Sequence, residues 1–171
     1  MKYDPNAQEE RSFEVLPAGE YVCDLVEFER KYTQKGDAYL KCKYRILQGK
    51  KAKWFITDGL FLTEKAAWRI NAVCRAMRIT EAFDLDDDND VQSNMVGKLL
   101  KIKTVVSIEA NKDGERREYA KADKFYALDK LELEEAQIAQ EKLGLPDEDM
   151  RQAKTENTEE TAVVADDDIP F

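Results

Sequence analysis

Residues able to do chemistry fall on alternating positions of four extended segments. Tyr39, Lys41, Lys43 and Arg45 share one parity of the first, and Lys53 and Phe55 one parity of the second. Lys101 and Lys103, then Arg117, Tyr119 and Lys121, repeat the pattern in the third and fourth. Side chains two residues apart on a strand share a face, so each set forms a row of cations broken by rings. Such rows do not make or break bonds. They suit single-stranded nucleic acid, because cations follow the phosphates and rings stack on any base, at about 1–3 kcal/mol per base. A solvated strand face carries the same residue types, so the rows alone do not decide. If the second segment has the opposite parity, Trp54 is the stacking ring and Phe55 the core residue.

Most catalytic chemistry is excluded by composition. The chain has no histidine, which removes Cys/His zinc sites and Ser-His-Asp or Cys-His nucleophile systems. Cys23, Cys42 and Cys74 are odd in number, widely spaced and set in apolar-patterned segments, which reads as core packing. The run from Asp84 to Asp90 resembles the start of a calcium loop. It has Asn89 where that loop needs glycine and Met95 where it needs glutamate, so the match fails. A magnesium-dependent nuclease built on these carboxylates is the rival from the enzyme class, but no phosphate-cradling glycine loop accompanies them. The expectation is therefore no enzyme, no metal and no cofactor.

The elements that hold the rows follow from periodicity. Ser12 to Leu16 reads as a short strand stopped by Pro17-Ala18-Gly19. Glu20 to Thr33 is a long strand whose apolar residues change parity, from Cys23 and Leu25 to Val26 and Phe28, which predicts a bulge. After the turn Gln34-Lys35-Gly36-Asp37, Ala38 to Leu47 alternates, with Leu40, Cys42, Tyr44 and Ile46 on the apolar face. A third strand runs from Lys51 to Thr57 and breaks at Asp58-Gly59. Thr63 is a suitable N-cap for a helix from Glu64 to Met77. Ile70, Val73, Cys74 and Met77 give that helix a buried stripe. The whole Trp68–Met77 stripe reads as core, and the basic side of Lys65, Arg69, Arg75 and Arg78 as solvated. An acidic connection from Thr80 to Gly97 leads to strands at Leu99 to Glu109 and Arg116 to Ala127, joined by the turn Asn111-Lys112-Asp113-Gly114. Leu131 to Leu143 reads as an amphipathic helix ended by Gly144 and Pro146. Three strands, a helix and two strands predict a mainly β fold with one or two helices, a five-stranded barrel of the oligonucleotide-binding (OB) type.

Charge divides the chain. Its 171 residues carry a formal net charge of −9. Residues 1–130 hold 24 Lys/Arg and 23 Asp/Glu, whereas residues 131–171 hold 3 and 13. Global acidity therefore says little about the body and points to an interaction tail. The organisation expected is a flexible start over 1–11, an OB domain over 12–130, a helix within 131–145 and a disordered acidic tail over 146–171. No stretch is long and apolar enough to span a membrane and the N-terminus lacks a signal-peptide core, so a soluble, cytoplasmic protein is expected.

The tail ends in Asp166-Asp167-Asp168-Ile169-Pro170-Phe171. Phe171 is an apolar anchor, Pro170 limits chain freedom, and the aspartates steer the tip toward a basic pocket rim. This ending resembles the tip of bacterial single-stranded-DNA-binding proteins. The resemblance implies docking of Asp166, Asp167, Asp168, Ile169, Pro170 and Phe171 on replication and recombination proteins: polymerase subunits, helicases, nucleases and recombination mediators. The body resembles instead small bacteriophage proteins encoded near replication and recombination genes. The residues that carry this are Leu16-Pro17-Ala18-Gly19-Glu20-Tyr21, the Lys35-Gly36 turn and Tyr39-Leu40-Lys41. That resemblance implies a phage-type single-stranded-DNA-binding protein acting in a bacterial host cell. The rival is an interaction protein whose tail competes for host docking pockets without strong DNA binding.

Overall fold

The computed structural model describes residues 15–110, 114 and 116–144. The expected flexible start, the Asn111-Lys112-Asp113 part of the hairpin turn, and the acidic tail with its tip lie outside the described residues. Five strands form one antiparallel sheet: β1 (Gly19–Tyr32), β2 (Ala38–Ile46), β3 (Phe55–Phe61), β4 (Leu99–Ala110) and β5 (Arg116–Tyr126). Between β3 and β4 come a 3-10 turn (Glu64–Ala66), α1 (Ala67–Ala76) and α2 (Asp88–Met95), and α3 (Lys130–Leu143) follows β5.

The sheet order is β3-β2-β1-β4-β5. Strand β1 is shared by two ladders: Cys23 to Tyr32 pair with β2, and Gly19 to Asp24 pair with β4. Within the β2 ladder, just past the end of the β4 ladder, Val26 is bulged out of register, as the parity change predicts, and a bulge bends and twists its strand. The edges β3 and β5 are thereby brought near each other. No ladder joins them among the described residues, so the sheet is mainly β and OB-like but is not closed into a barrel. The core fills the concave side. Leu40, Cys42, Tyr44 and Ile46 are all fully buried there, on the parity that alternation predicts, with Ile70, Val73 and Met77 of the α1 segment packed over them. All three cysteines are free thiols, two buried and one half-buried.

Three local expectations change. Strand β3 begins at Phe55 and runs through Asp58 and Gly59 rather than breaking there. Asp58 stays in the strand because Arg69 pairs with it at 2.7 Å. A Cβ on Gly59 would stand 3.3 Å from the Phe61 ring, so this glycine makes room for a ring. The Thr63 hydroxyl accepts from the Ala66 N–H as predicted, but the first turn it caps is 3-10. Finally, part of the acidic connection is helical. The Asp87 carboxylate caps α2, and its only buried residues, Val91 and Met95, are one turn apart, which is too little apolar pattern to see in sequence.

Candidate nucleic-acid interface

The convex face of the sheet carries every predicted contact residue except Lys53. Lys53 lies in the turn before β3 with φ of 74°, outside any strand row. Helix α3 covers part of this face by burying Val22, Leu47 and Leu99 against its own Leu133 and Ala136. Its capping box, between Asp129 and Glu132, fixes where it starts.

That cover explains why Arg45 is not an open phosphate contact. Arg45 is 2% exposed and holds Asp24 with both arms, Nε–Oδ1 at 3.1 Å and Nη2–Oδ2 at 2.7 Å. The Arg45 Nη1 donates to the carbonyl of Gly144, and Gln140 of α3 donates to Asp24 at 3.0 Å. A guanidinium placed beneath a helix needs this set of partners, because burying it unpaired costs several kcal/mol (about 3–5).

The rings of β2 and β3 are also corrected. Tyr39 is 3% exposed and stacks on Phe61, centroids 4.8 Å apart, in a small cluster with Ala66. Phe55 is 4% exposed, with the Lys43 ammonium 4.6 Å from its ring centre. Trp54, the alternative ring, is buried too, with Lys51 4.2 Å from it. Neither parity of the third strand offers a ring to a base. The cations beside them are offset, because Lys41 stands opposite Glu29 and Lys43 opposite Glu27 on β1.

The β4–β5 half of the face differs. Lys103 is directly opposite Lys124, Val105 opposite Lys121, Ser107 opposite Tyr119, and Glu109 opposite Arg117. On the other side of Lys103–Lys124, Lys101 is opposite Tyr126, which is 38% exposed. Lys101 is ion-paired with Glu132 of α3, whose carboxylate holds the ammonium above the usual lysine range. Among the described residues Lys103, Lys121 and Lys124 have no ion-pair partner. Glu20 on β1 flanks Lys103 and offsets one charge, leaving the patch net positive. Like charges directly across a ladder destabilise it, so an anion bound between Lys103 and Lys124 would relieve the pair. Burial first, and the Glu109 carboxylate after it, push the Tyr119 hydroxyl up to about 12. Tyr119 is therefore neutral and half-buried near neutral pH.

Thus Lys103, Arg117, Tyr119 and Lys121 are brought together, while Tyr39, Arg45 and Phe55 are withdrawn. Lys124 and Tyr126 are members that sequence reading missed. Asp123 is an extra residue opposite the Lys103/Thr104 step, so parity flips between Lys121 and Lys124. The adjacent polar pair Asp123-Lys124 is the break in alternation that marks it.

A family model described as "Protein of unknown function (DUF669)" matches residues 1–137. The chain belongs to the DUF669 family. No curated protein matches it. The DUF669 match takes in all five strands and most of α3, so the whole β4–β5 patch lies inside the family's region. The tip from Asp166 to Phe171 lies beyond both that match and the described residues. No helix among the described residues is long and apolar enough to cross a membrane.

Proposed function

We propose that this DUF669 protein binds single-stranded DNA without sequence preference and recruits replication or recombination proteins through its C-terminal tip. The observation that carries the DNA part is the opposed pair Lys103–Lys124, with Lys121 on one side and the Tyr126 ring on the other. Cations spaced along a ladder follow a backbone of phosphates, and a half-exposed tyrosine gives a base a surface to stack on. Phosphate contacts and stacking on a ring do not depend on base identity, which is the chemistry of a coating protein. The recruiting part rests on the Ile169-Pro170-Phe171 ending behind three aspartates.

The test is fluorescence anisotropy of the full chain with labelled oligo-dT and a duplex control across a salt series. Strand-selective binding that weakens with salt, and is lost in Lys103→Glu/Lys124→Glu, is expected. No binding at low salt would remove the reading. The second reading, a tail-bearing competitor for docking pockets, is favoured by the withdrawal of Tyr39, Phe55 and Arg45 from the β2–β3 face. It expects full partner binding with no DNA binding.

A further inference from the structure

Helix α1 carries a feature that the β4–β5 patch does not use. From Lys65 to Thr80 the chain has four cations, Lys65, Arg69, Arg75 and Arg78, and no carboxylate, although the chain as a whole is at −9. Two of the four have structural work. Arg69 is ion-paired with Asp58, and Arg78 donates to the Leu128 carbonyl. The other two, Lys65 and Arg75, are exposed. They stand three residues before and seven residues after Trp68, spacings that share one side of a helix.

Trp68 is 59% exposed, against the expectation that the stripe beginning with it is core. Tryptophan is seldom left this open, because its rings bury a large apolar area. Among the described residues the side chains of Lys65, Trp68 and Arg75 have no hydrogen-bond, ion-pair or ring partner. The place of this face in the fold is set by the next residue. Arg69 donates to Asp58 of β3 at 2.7 Å and to the Ala122 carbonyl of β5 at 3.0 Å. The first turn of α1 is therefore moored at the open edge of β5, one residue from Lys121. The basic β4–β5 face and the Lys65–Trp68–Arg75 face flank the same strand.

We infer that a bound single strand continues from the β4–β5 face past the edge of β5 onto α1, where Trp68 stacks on a base between the phosphate contacts Lys65 and Arg75. The occupant is argued from charge: a face with Lys65, Arg75 and one open ring, set against the single carboxylate of Glu64 in the preceding turn, stays net positive and complements a polyanion with exposed bases. This rests on the single-stranded-DNA reading above, and the two are separable because Trp68 and the β4–β5 lysines can be replaced independently.

The chain has only two tryptophans, and Trp54 is buried, so Trp68 can be read by its own fluorescence. The full chain is titrated with unlabelled oligo-dT of increasing length, beside Trp68→Phe, in which only Trp54 emits. Affinities for labelled oligo-dT are measured in parallel for Trp68→Ala, an exposed position at which folding is not at stake. Expected are quenching by the longer oligonucleotides that is absent in Trp68→Phe, and binding to them weakened in Trp68→Ala. The weakening should be about 5- to 150-fold, the range that 1–3 kcal/mol per stacked base implies. Binding without quenching, or with unchanged affinity in Trp68→Ala, overturns the inference and leaves the DNA reading standing. No binding at any length overturns both.

Discussion

Arg45 and Asp24 are cross-strand partners that meet through two hydrogen bonds, 3.1 and 2.7 Å, at a place where both side chains are 2% exposed. The pair joins β1 to β2, and through Gln140 and the Gly144 carbonyl it joins both to α3. It is a structural lock on the face where a DNA contact is expected from alternation. Replacing Arg45 by alanine leaves the Asp24 carboxylate buried with only Gln140 for company. A loss of about 3–5 kcal/mol in unfolding free energy follows, measured by urea denaturation of the full chain. A loss below about 1 kcal/mol, the value of an exposed pair, would mean that α3 does not cover the pair in solution.

The second buried pair works at the open seam and gives a pH signature. Burial raises the Asp58 carboxyl above its usual range, and the Arg69 charge opposes that rise. A carboxyl with a raised folded-state pKa is favoured protonated, so its contribution is present at low pH and is lost as pH rises through the folded value. Taking away the opposing charge in Arg69→Ala lets the rise go further. The stability gap between wild type and Arg69→Ala should therefore widen from pH 4 to pH 7, in paired urea denaturations. A gap that is constant across this range would show that Asp58 is solvated in the variant, with the seam open to water.

How much of this is legible in the sequence depends on which layer set each residue. Leu40, Cys42, Tyr44 and Ile46 were readable because a half-buried strand writes its core in period two. Arg45 was not, because the opposite side of the same strand is covered as well, by α3; Phe55, on the neighbouring β3, was not because its ring lies under the Lys43 ammonium. A second covering layer leaves no mark on the alternation of the strand it covers. Its trace lies elsewhere, in Val22, Leu47 and Leu99, which are apolar on the side that should face water. Lys124 and Tyr126 were hidden by the one-residue bulge at Asp123, which flips every side chain after it. The third strand failed for a different reason. Asp58-Gly59 has the composition of a turn, but one residue is held by a distant arginine and the other makes room for a ring.

Tyr119 supplies a marker inside the proposed interface. Its hydroxyl is raised to about 12, first by burial and then by Glu109. A raised acid is favoured neutral in the fold, so stability should fall as pH climbs from about 10, where a free tyrosine ionises, toward 12. Glu109→Gln removes the second cause and keeps the first. In that variant the tyrosinate absorbance of Tyr119, assigned by difference from Tyr119→Phe because buried Tyr44 is also raised, should appear at lower pH than in wild type, while still above 10. An unchanged titration would mean that Glu109 does not reach Tyr119 in solution, and that the outer part of the β4–β5 hairpin is arranged differently.

The opposed lysines make the most demanding prediction, because stability and binding should move in opposite directions. Lys103 and Lys124 repel across the ladder, so Lys124→Ala should raise unfolding free energy by about 0.2–1 kcal/mol. The same change removes a phosphate contact. Each contact to a single strand contributes about 0.7 to the slope of log affinity against log salt, so the slope for oligo-dT should fall by about that amount in Lys103→Ala and again in Lys124→Ala. Lys43→Ala is the comparison: its ammonium lies over the Phe55 ring and faces Glu27, and its slope should stay near the wild-type value. A larger drop for Lys43 than for Lys124 would move the DNA path back to β2 and β3, despite the buried rings there. A stabilised Lys124→Ala with an unchanged slope would leave the repulsion real and its functional reason wrong.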